Sequence, residues 1–400
     1  MNNSNILFLS CAYSNDKKDQ YLSHSKRGYQ YAAQNFQEAL LSGFIQNKAE
    51  LTVLSIPALS TFPIGFSRPF VKDVEFNFNG ISLGRSYGFC NVPLLNSVYQ
   101  KRIDRSIDNW YENTKGDKCI LVYALIKNQM KYAVAAKRRH SDINLCIIVP
   151  DLPDYMACNK YYKLLGFQKR DKAEIDSLIQ QFDKYIVLAE PMVDSLGISS
   201  KPYLVVEGIY NEVNSNKIPI EACERKRIMY AGGIHSRYGV FDLIEAFHRI
   251  DDDTFQLLLC GGCPEMDRLN HYLEIDKRIK YLGLIPTEEL RSIQKRVTLL
   301  INPRHSAEEF TKYSFPSKTL EYMASGTPVL MSSLPSIPKE YYDYLYFFGD
   351  ESIEGMKSRI IEVCNIDPEL LAKKGTEARG FVIKEKSAIN QTNKILCFID

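Results

Sequence analysis

The chain has 400 residues and a formal net charge of +2, so it is long enough for two domains and too weakly charged for a protein dominated by nucleic-acid phosphate contacts. Ten cysteines, scattered mostly in or beside apolar runs, indicate reduced thiols and a cytoplasmic compartment rather than a disulfide framework. The N-terminal sequence lacks the pattern of a signal peptide, and no apolar run approaches the ~20 residues that span a bilayer.

The first half alternates between strand and helix patterns. Apolar runs typical of buried strands lie at 6–11, 51–56, 119–124, 145–149, 185–189 and 204–209. Helical spacing of apolar residues predicts helices at 24–46, 95–113 and 127–139. The Pro-, Phe- and Gly-rich stretch 57–91 has little periodicity and is expected to be irregular. Continuous apolar strands that alternate with helices predict a parallel sheet covered on both faces.

A polar stretch at 211–226 reads as a linker, after which the alternation restarts. Strand patterns follow at 227–231, 256–260, 279–283, 297–301, 327–331 and 345–348. We therefore predict an α/β protein with two doubly wound domains, 1–209 and 210–379, facing each other across a cleft. The helical segment 366–397 is expected to return to the first domain, with about 380–400 packing on it. Ligands of such sheets bind at the carboxyl ends of the strands.

The junction at 311–331 combines a polar loop, a short helix and a buried strand. Ser317, Lys318 and Glu321 share the polar helix face, and Gly326 is a helix stop signal. Unpaired N–H groups and the helix dipole at this open N-terminus suit a phosphate, and Lys318 adds a full charge. Glu321 is placed to accept hydrogen bonds from a sugar diol.

A double glycine, Gly232 and Gly233, ends the strand at 227–231 and is followed by His235 and Arg237. Glycine lets a ligand approach the backbone, and Arg237 can bind phosphate at the next helix N-terminus. A tight turn with a solvated arginine is an equally open interpretation. Arg304 follows another buried strand and is expected at the same sheet edge, either at the ligand or in a surface salt bridge. The loop has no GxGxxG pattern, so a nicotinamide cofactor is not supported.

Other polar clusters favour ordinary structural roles. Cys260 and Cys263 have CxxC spacing without a second Cys or His pair, so a metal or redox site is not expected. The triplet at 251–253 reads as a solvated turn. Asp151 and Asp154 follow the strand at 145–149, where turn carboxylates are the more common interpretation and a cleft-facing carboxylate the alternative.

Two basic stretches, 127–139 and 160–170, lie in the first half. A surface on anionic lipid and a pair of solvated helix faces are both open interpretations.

Four motifs in the second half occur together and in a fixed order. They are Tyr-Ala-Gly-Gly to Leu-Ile-Glu-Ala-Phe at 230–247, Leu-Leu-Leu-Cys-Gly-Gly at 257–262, Tyr-Leu-Gly-Leu-Ile-Pro at 281–286, and Phe-Pro-Ser-Lys to Gly-Thr-Pro-Val at 315–329. Together they resemble GT-B glycosyltransferases of family 4. The resemblance covers the second half closely and the first half by architecture.

The resemblance implies a nucleotide diphosphate sugar, with a UDP-sugar favoured, held by the second domain and an acceptor held by the first. It implies no metal and no cofactor, and usually retention of configuration. On this mapping Gly233 and Arg237 meet the diphosphate, Lys318 meets phosphate or sugar, Glu321 holds the ribose, and Leu284 and Ile285 border the base. Gly232, Arg304 and Ser317 complete the predicted donor site.

Two positions depart from the family pattern. Tyr313 stands where the first glutamate of a Glu-x7-Glu pattern is expected, so Glu308 or Glu309 is the candidate replacement. Asp151 stands near the position of a histidine found in many members and is our hypothesis for its substitute, beside Arg237 and Lys318 as catalytic residues.

The predicted function is transfer of a sugar to a hydroxyl of a glycan or lipid-linked acceptor, in bacterial surface-polysaccharide or glycoconjugate assembly. The inner face of the cell membrane is a candidate location. A nucleotide-sugar epimerase of the same fold and, because of Tyr313, a non-catalytic partner of another transferase are the alternatives.

Overall fold

The computed structural model describes residues 4–26, 31–92, 100–153, 167–211 and 226–400. The chain forms two compact units. The first contains Met1–Asn211 together with Ala388–Asp400, and the second contains Glu212–Ser387. Asp154, most of the linker stretch and most of the basic stretch 160–170 lie outside the described residues.

The first unit is built on a sheet of eight described strands in the order β3-β4-β2-β1-β5-β6-β7-β8. Its strands are β1 (Asn5–Ser10), β2 (Leu51–Ser55), β3 (Val74–Phe78), β4 (Ile81–Ser86), β5 (Lys118–Tyr123), β6 (Asn144–Val149), β7 (Lys184–Val187) and β8 (Tyr203–Val205). Its helices up to residue 211 are α1 (Asn15–His24), α2 (Tyr31–Gln46), α3 (Gln100–Asn113), α4 (Lys127–Arg139), α5 (Phe167–Ile179) and α6 (Met192–Ser195). The central strands are buried because they are apolar at successive positions, as in β5, where every residue is buried.

The hairpin of β3 and β4 corrects the prediction of an irregular stretch at 57–91. These two strands pair antiparallel, whereas the other described pairs of this sheet are parallel. Asn79 and Gly80, which connect them, have φ angles of 50° and 79°. Positive φ at both central residues is typical of the tight turn that Asn-Gly forms in hairpins. The sheet is therefore mixed at its β3 edge.

Helix α1 was also missed, because no helix was predicted before residue 24. The helix is largely polar and buries only Tyr21, so it lacks the apolar stripe on which helix prediction depends. The helix predicted at 24–46 is wrong at its start, since α1 ends at His24 and Ser25 pairs with Phe66 in an isolated β-bridge.

The second unit has six described strands in the order β11-β10-β9-β12-β13-β14, and the pairs are parallel. They are β9 (Lys226–Ala231), β10 (Phe255–Cys260), β11 (Ile279–Tyr281), β12 (Leu299–Asn302), β13 (Val329–Met331) and β14 (Tyr346–Phe347). The helices are α7 (Val240–His248), α8 (Met266–Ile275), α9 (Thr287–Gln294), α10 (Lys318–Ser325), α11 (Ile353–Cys364) and α12 (Pro368–Glu385). The prediction of an α/β fold with doubly wound, parallel sheets is confirmed, apart from the antiparallel β3–β4 pair at the edge of the first sheet.

The C-terminal segment, predicted to be helical, forms two helices. Helix α12 is followed by α13 (Ala388–Ile399), and only α13 belongs to the first unit. There α13 buries Ile395 and Ile399 in the core of that unit, and Lys184 donates hydrogen bonds to the carbonyls of Phe398 and Ile399 at 2.7 and 3.0 Å. Among the described residues, no helix has both the length and the apolar character needed to cross a membrane.

Candidate active site

The double-glycine loop lies at the carboxyl end of β9 and is held by hydrogen bonds. The Gly232 N–H donates to the Cys260 carbonyl at 2.7 Å, and the Tyr230 hydroxyl donates to the Gly233 carbonyl at 2.9 Å. Gly261, with φ of 134°, packs so closely that a Cβ there would overlap the Gly232 carbonyl. Two glycine loops therefore fit back to back, which a side chain at Gly261 would prevent.

Lys318 is the first residue of α10, and its ammonium lies over Gly232. A Cβ at Gly232 would overlap the Lys318 Nζ, and that nitrogen is 5.0 Å from the centre of the Tyr230 ring. Burial and the nearby Arg304 lower the pKa of Lys318 to about 8, although Glu321 acts in the opposite direction. Lys318 is thus a partly desolvated cation that lies over the Gly232 backbone, where no side chain intervenes.

Helix α10 is attached to the end of β9 through Tyr322, which is fully buried. The Tyr322 hydroxyl accepts a hydrogen bond from the Ala231 N–H at 2.8 Å and donates one to the Ala231 carbonyl at 3.1 Å. The helix ends at Gly326, whose φ is 83°, as the stop signal predicts. The Ser317 side chain, at the N-cap position, accepts no hydrogen bond from the first N–H groups of α10.

Arg237 and Arg304 converge on one aromatic ring. Their guanidinium carbons lie 4.4 and 5.4 Å from the centre of the Phe310 ring, and that of Arg304 is also 5.3 Å from the Tyr238 ring. The buried Nε of Arg304 has no hydrogen-bond partner among the described residues. Burial lowers the pKa of Arg304, but a guanidinium remains charged at neutral pH.

In the described part of the chain, the side chains of Arg237, Arg304 and Lys318 form no ion pair. Arg304 therefore lacks the surface salt bridge that was its alternative interpretation. The three cations influence one another, since Arg237 lowers the pKa of Arg304 and Arg304 lowers that of Lys318. A cluster of cations without a matching carboxylate pair is stabilised when an anion with more than one negative charge binds.

Glu321 and the apolar loop after β11 flank this cluster. Part of the Glu321 side chain is exposed to solvent. Desolvation of its carboxyl group by the surrounding protein nevertheless raises the pKa of Glu321, and this effect outweighs the lowering effect of Arg291 and Lys318. Arg291, on α9, was not singled out in the sequence because a helix-face arginine has no distinctive signal. Leu284 is 84% exposed, and Ile285 beside it is half-buried, so the loop presents apolar surface to solvent.

His235 has a structural role that the sequence did not indicate. Its Nδ1 accepts a hydrogen bond from the Arg237 N–H at 3.0 Å and so caps the short 3-10 helix Ser236–Tyr238. Tyr313 ends the 3-10 helix Glu309–Lys312, and its N–H donates to the Phe310 carbonyl at 3.2 Å. Glu308 and Glu309 are exposed, and their role in replacing the missing glutamate stays a prediction.

Asp151 lies in the first unit, just after β6. The residue is exposed, while partial desolvation of its carboxyl group raises the pKa. Asp252 accepts hydrogen bonds from the N–H and hydroxyl of Thr254 at 2.8 and 2.6 Å, which is the geometry of a turn. Among the described residues, no three His, Cys, Asp or Glu side chains cluster as metal ligands would.

The cations of α4 face acidic side chains. Lys127 contacts Asp171 at 2.5 Å and Lys131 contacts Glu174 at 2.5 Å, while Lys137 pairs with Asp183. Arg139 contacts Asp108 at 3.0 Å. This pairing favours the solvated-helix interpretation for residues 127–139.

Solved structures with the same fold cover nearly the whole chain. A sucrose-phosphate synthase from Thermosynechococcus elongatus has a TM-score of 0.61 at 14% identity, with 98% of this chain and 97% of that chain covered. The Anabaena protein HepE, in complex with UDP, has a TM-score of 0.62 at 12% identity and 98% coverage of both chains. A lipopolysaccharide outer core galactosyltransferase, WaaB, has a TM-score of 0.61 at 16% identity and 99% coverage of both. No curated protein sequence matches the chain.

The fold is therefore that of the GT-B class. Residues 225–365 match the family model described as Glycosyl transferases group 1. This region contains β9 to α11 and with them the whole cation cluster. Residues 225–365 therefore form a glycosyltransferase domain within a chain of GT-B fold.

Proposed function

We propose that the chain transfers a sugar from a nucleotide diphosphate sugar, with a UDP-sugar favoured, to a hydroxyl of a glycan or lipid-linked acceptor. The observation that carries this proposal is the cluster of Arg237, Arg304 and Lys318 beside the glycine loop and the start of α10. We place the protein in family 4, with retention of configuration and without a metal or cofactor. Its proposed setting is surface-polysaccharide or glycoconjugate assembly at the inner face of the cell membrane.

The cluster supports a diphosphate ligand by charge and by shape. Lys318 lies over Gly232, where the absence of a side chain leaves the backbone open to a phosphate. The orphan Nε of Arg304 is a donor that a phosphate oxygen can satisfy. Glu321 is placed one helical turn further along α10 to hold ribose hydroxyls, and the apolar Leu284 and Ile285 border the base. The similar structure of HepE contains UDP.

The same groups would act on the reaction itself. When the bond between the anomeric carbon and the diphosphate breaks, negative charge grows on the departing oxygen. Cations that are already fixed stabilise this charge without further reorganisation, and can take the place of a metal ion. The acceptor oxygen forms the new bond to the anomeric carbon while its proton passes to the departing diphosphate oxygen. Asp151, with its raised pKa, is the proposed carboxylate near the acceptor.

The test is a binding and turnover screen across uridine, guanosine and adenosine diphosphate sugars by calorimetry. We expect one nucleotide class to bind, and expect Lys318→Ala or Arg237→Ala to lower turnover by about tenfold or more while the fold stays intact. Lys312→Ala is the matched control, because Lys312 is an exposed cation of the same segment. Unchanged turnover in both variants would remove these residues from the mechanism. Release of an altered donor without acceptor would show an epimerase instead, and absence of binding to every donor would favour a non-catalytic partner.

A further inference from the structure

A loop of the first unit holds two large apolar side chains in solvent. Ile64 and Phe70 are each 68% exposed. Between them Phe66 is only 2% exposed and packs in a cluster with Tyr13, Tyr21 and Val71. The loop is therefore anchored at its centre, with apolar side chains exposed on either side of the anchor.

Backbone hydrogen bonds fix this conformation on both sides of the anchor. The Gly65 carbonyl accepts from the Lys26 N–H at 2.9 Å, and the Ser67 N–H donates to the His24 carbonyl at 2.9 Å. Val71 and Phe89 exchange two hydrogen bonds at 2.9 and 3.0 Å. Because the loop is held in this way, the exposure of Ile64 and Phe70 belongs to the folded structure. Large apolar side chains that the fold holds in solvent are typical of an interaction surface.

Three cations line the same cavity as Phe70. Lys17, Arg68 and Lys72 line a cavity of about 290 Å³ together with Phe70. Within the described ranges, the side chains of these three cations make no hydrogen bond or ion pair. Asp73, which also lines the cavity, is already engaged by Arg102 and by the Gly88 N–H. Among the described residues these three cations therefore have no ion-pair partner, unlike the lysines of α4, which pair with acidic residues.

We propose that this surface, consisting of Ile64, Phe70, Lys17, Arg68 and Lys72, docks the first unit on a bilayer rich in anionic lipid. The apolar side chains enter the interface, and the cations face the lipid phosphates. Apolar groups combined with unpaired cations distinguish such a surface from a purely electrostatic one, because each component alone binds a bilayer weakly. The proposal depends on the first unit alone and is independent of the donor chemistry.

The experiment is co-sedimentation of the full chain, without substrate, with phosphatidylcholine vesicles that contain or lack phosphatidylglycerol. We expect binding to the anionic vesicles that weakens with added salt. The double variant Ile64→Ser/Phe70→Ser and the double variant Arg68→Gln/Lys72→Gln should each reduce the affinity by roughly tenfold or more. The charge variant should also show a weaker salt dependence.

Two matched controls distinguish binding through this surface from non-specific binding to vesicles. Ile275→Ser/Leu370→Ser removes side chains of the second unit that are 50% and 59% exposed, and Lys131→Gln/Lys137→Gln removes cations of α4. Both should bind as the unaltered chain does. Circular dichroism confirms folding of each variant. Absence of binding to anionic vesicles, equal binding to neutral ones, or equal loss in the controls would overturn the proposal, and the first outcome would point to a protein partner.

Discussion

At the scale of single residues, the site depends on how Lys318 is desolvated. A lysine at a helix N-terminus is expected to sit in an unfavourable dipole field, so its position needs a compensating ligand. The structure adds burial and a neighbouring arginine, which together lower its pKa to about 8. An anion bound beside it acts in the opposite direction and raises this pKa. Donor binding and protonation of Lys318 are therefore linked.

We predict that donor binding takes up protons at pH 8. About half of the free protein lacks the Lys318 proton at this pH, so binding of the diphosphate should take up about half a proton per site. The lowered pKa also sets the sign of the pH profile. Affinity should be highest below pH 8, where the lysine is charged, and should fall as pH rises above it. Calorimetry in buffers of different ionisation enthalpy measures the uptake.

Lys318→Met should abolish this uptake, whereas Lys312→Ala should retain it. A binding enthalpy at pH 8 that does not depend on the buffer would show that Lys318 is not the linked group. A flat affinity profile between pH 7 and pH 9 would lead to the same conclusion.

The residues of the candidate site could be identified from the sequence, but their spatial arrangement could not. Lys318 and Gly326 lie at a helix start and a helix stop, and both positions follow from local pattern. The placement of the Lys318 ammonium over Gly232 joins positions far apart in the chain, which periodicity cannot report. Arg237 and Arg304 converge on Phe310, an aromatic residue in a polar loop that carries no sequence signal of its role. The predicted roles of these residues stay predictions until donor binding is measured.

At the scale of elements, the strand and helix junctions position the site. The strand ends of β9 and β10 meet through the Gly232 N–H and the Cys260 carbonyl, while α10 is attached to β9 through Tyr322. The strands of the second unit were predictable because each is a short apolar run. The β3–β4 hairpin was missed although Asn79-Gly80 is a strong turn signal, because the surrounding Pro and Phe residues obscured the alternation. Helix α1 offered no such signal, since its face toward the core is a single tyrosine.

We predict that Tyr322→Phe destabilises the second unit by about 1–3 kcal/mol, because the Ala231 N–H and carbonyl lose a buried partner. Donor affinity should fall as well, since the start of α10 is no longer fixed against the glycine loop. Urea unfolding measures the change in the free energy of unfolding, and native-state amide exchange in β9 assigns that change to the second unit. Tyr272→Phe is the control, because its hydroxyl bonds Glu245 at 2.8 Å on a partly exposed surface. Equal losses in the two variants would contradict a special role for Tyr322.

At the scale of the whole molecule, the chain returns to its first unit through α13. The close packing of α13 on α2 occurs at Gly43, where a Cβ would overlap the Ala388 carbonyl and Thr392. Asn47 adds hydrogen bonds to the Ile389 carbonyl and the Thr392 hydroxyl, both at 2.8 Å. The sequence indicated a terminal helical segment, but the break between α12 and α13 has no proline or glycine signal. The packing of α13 on α2 therefore determines where the two C-terminal helices separate, which the local sequence pattern does not indicate.

We predict that Ile395→Ala, at a residue that is fully buried in α13, destabilises the first unit by about 2–5 kcal/mol. The cavity lies in the core shared with α2 and β1, so amides of those elements should lose protection in native-state hydrogen exchange. Amides of β9 and α7, which belong to the second unit, should keep theirs. Ile389→Ala is the matched control, since Ile389 is 39% exposed and its truncation should change stability by no more than about 0.5 kcal/mol. Equal loss of protection in β9 would show instead that the two units unfold as one, and unchanged protection in α2 would show that α13 contributes little to the first core.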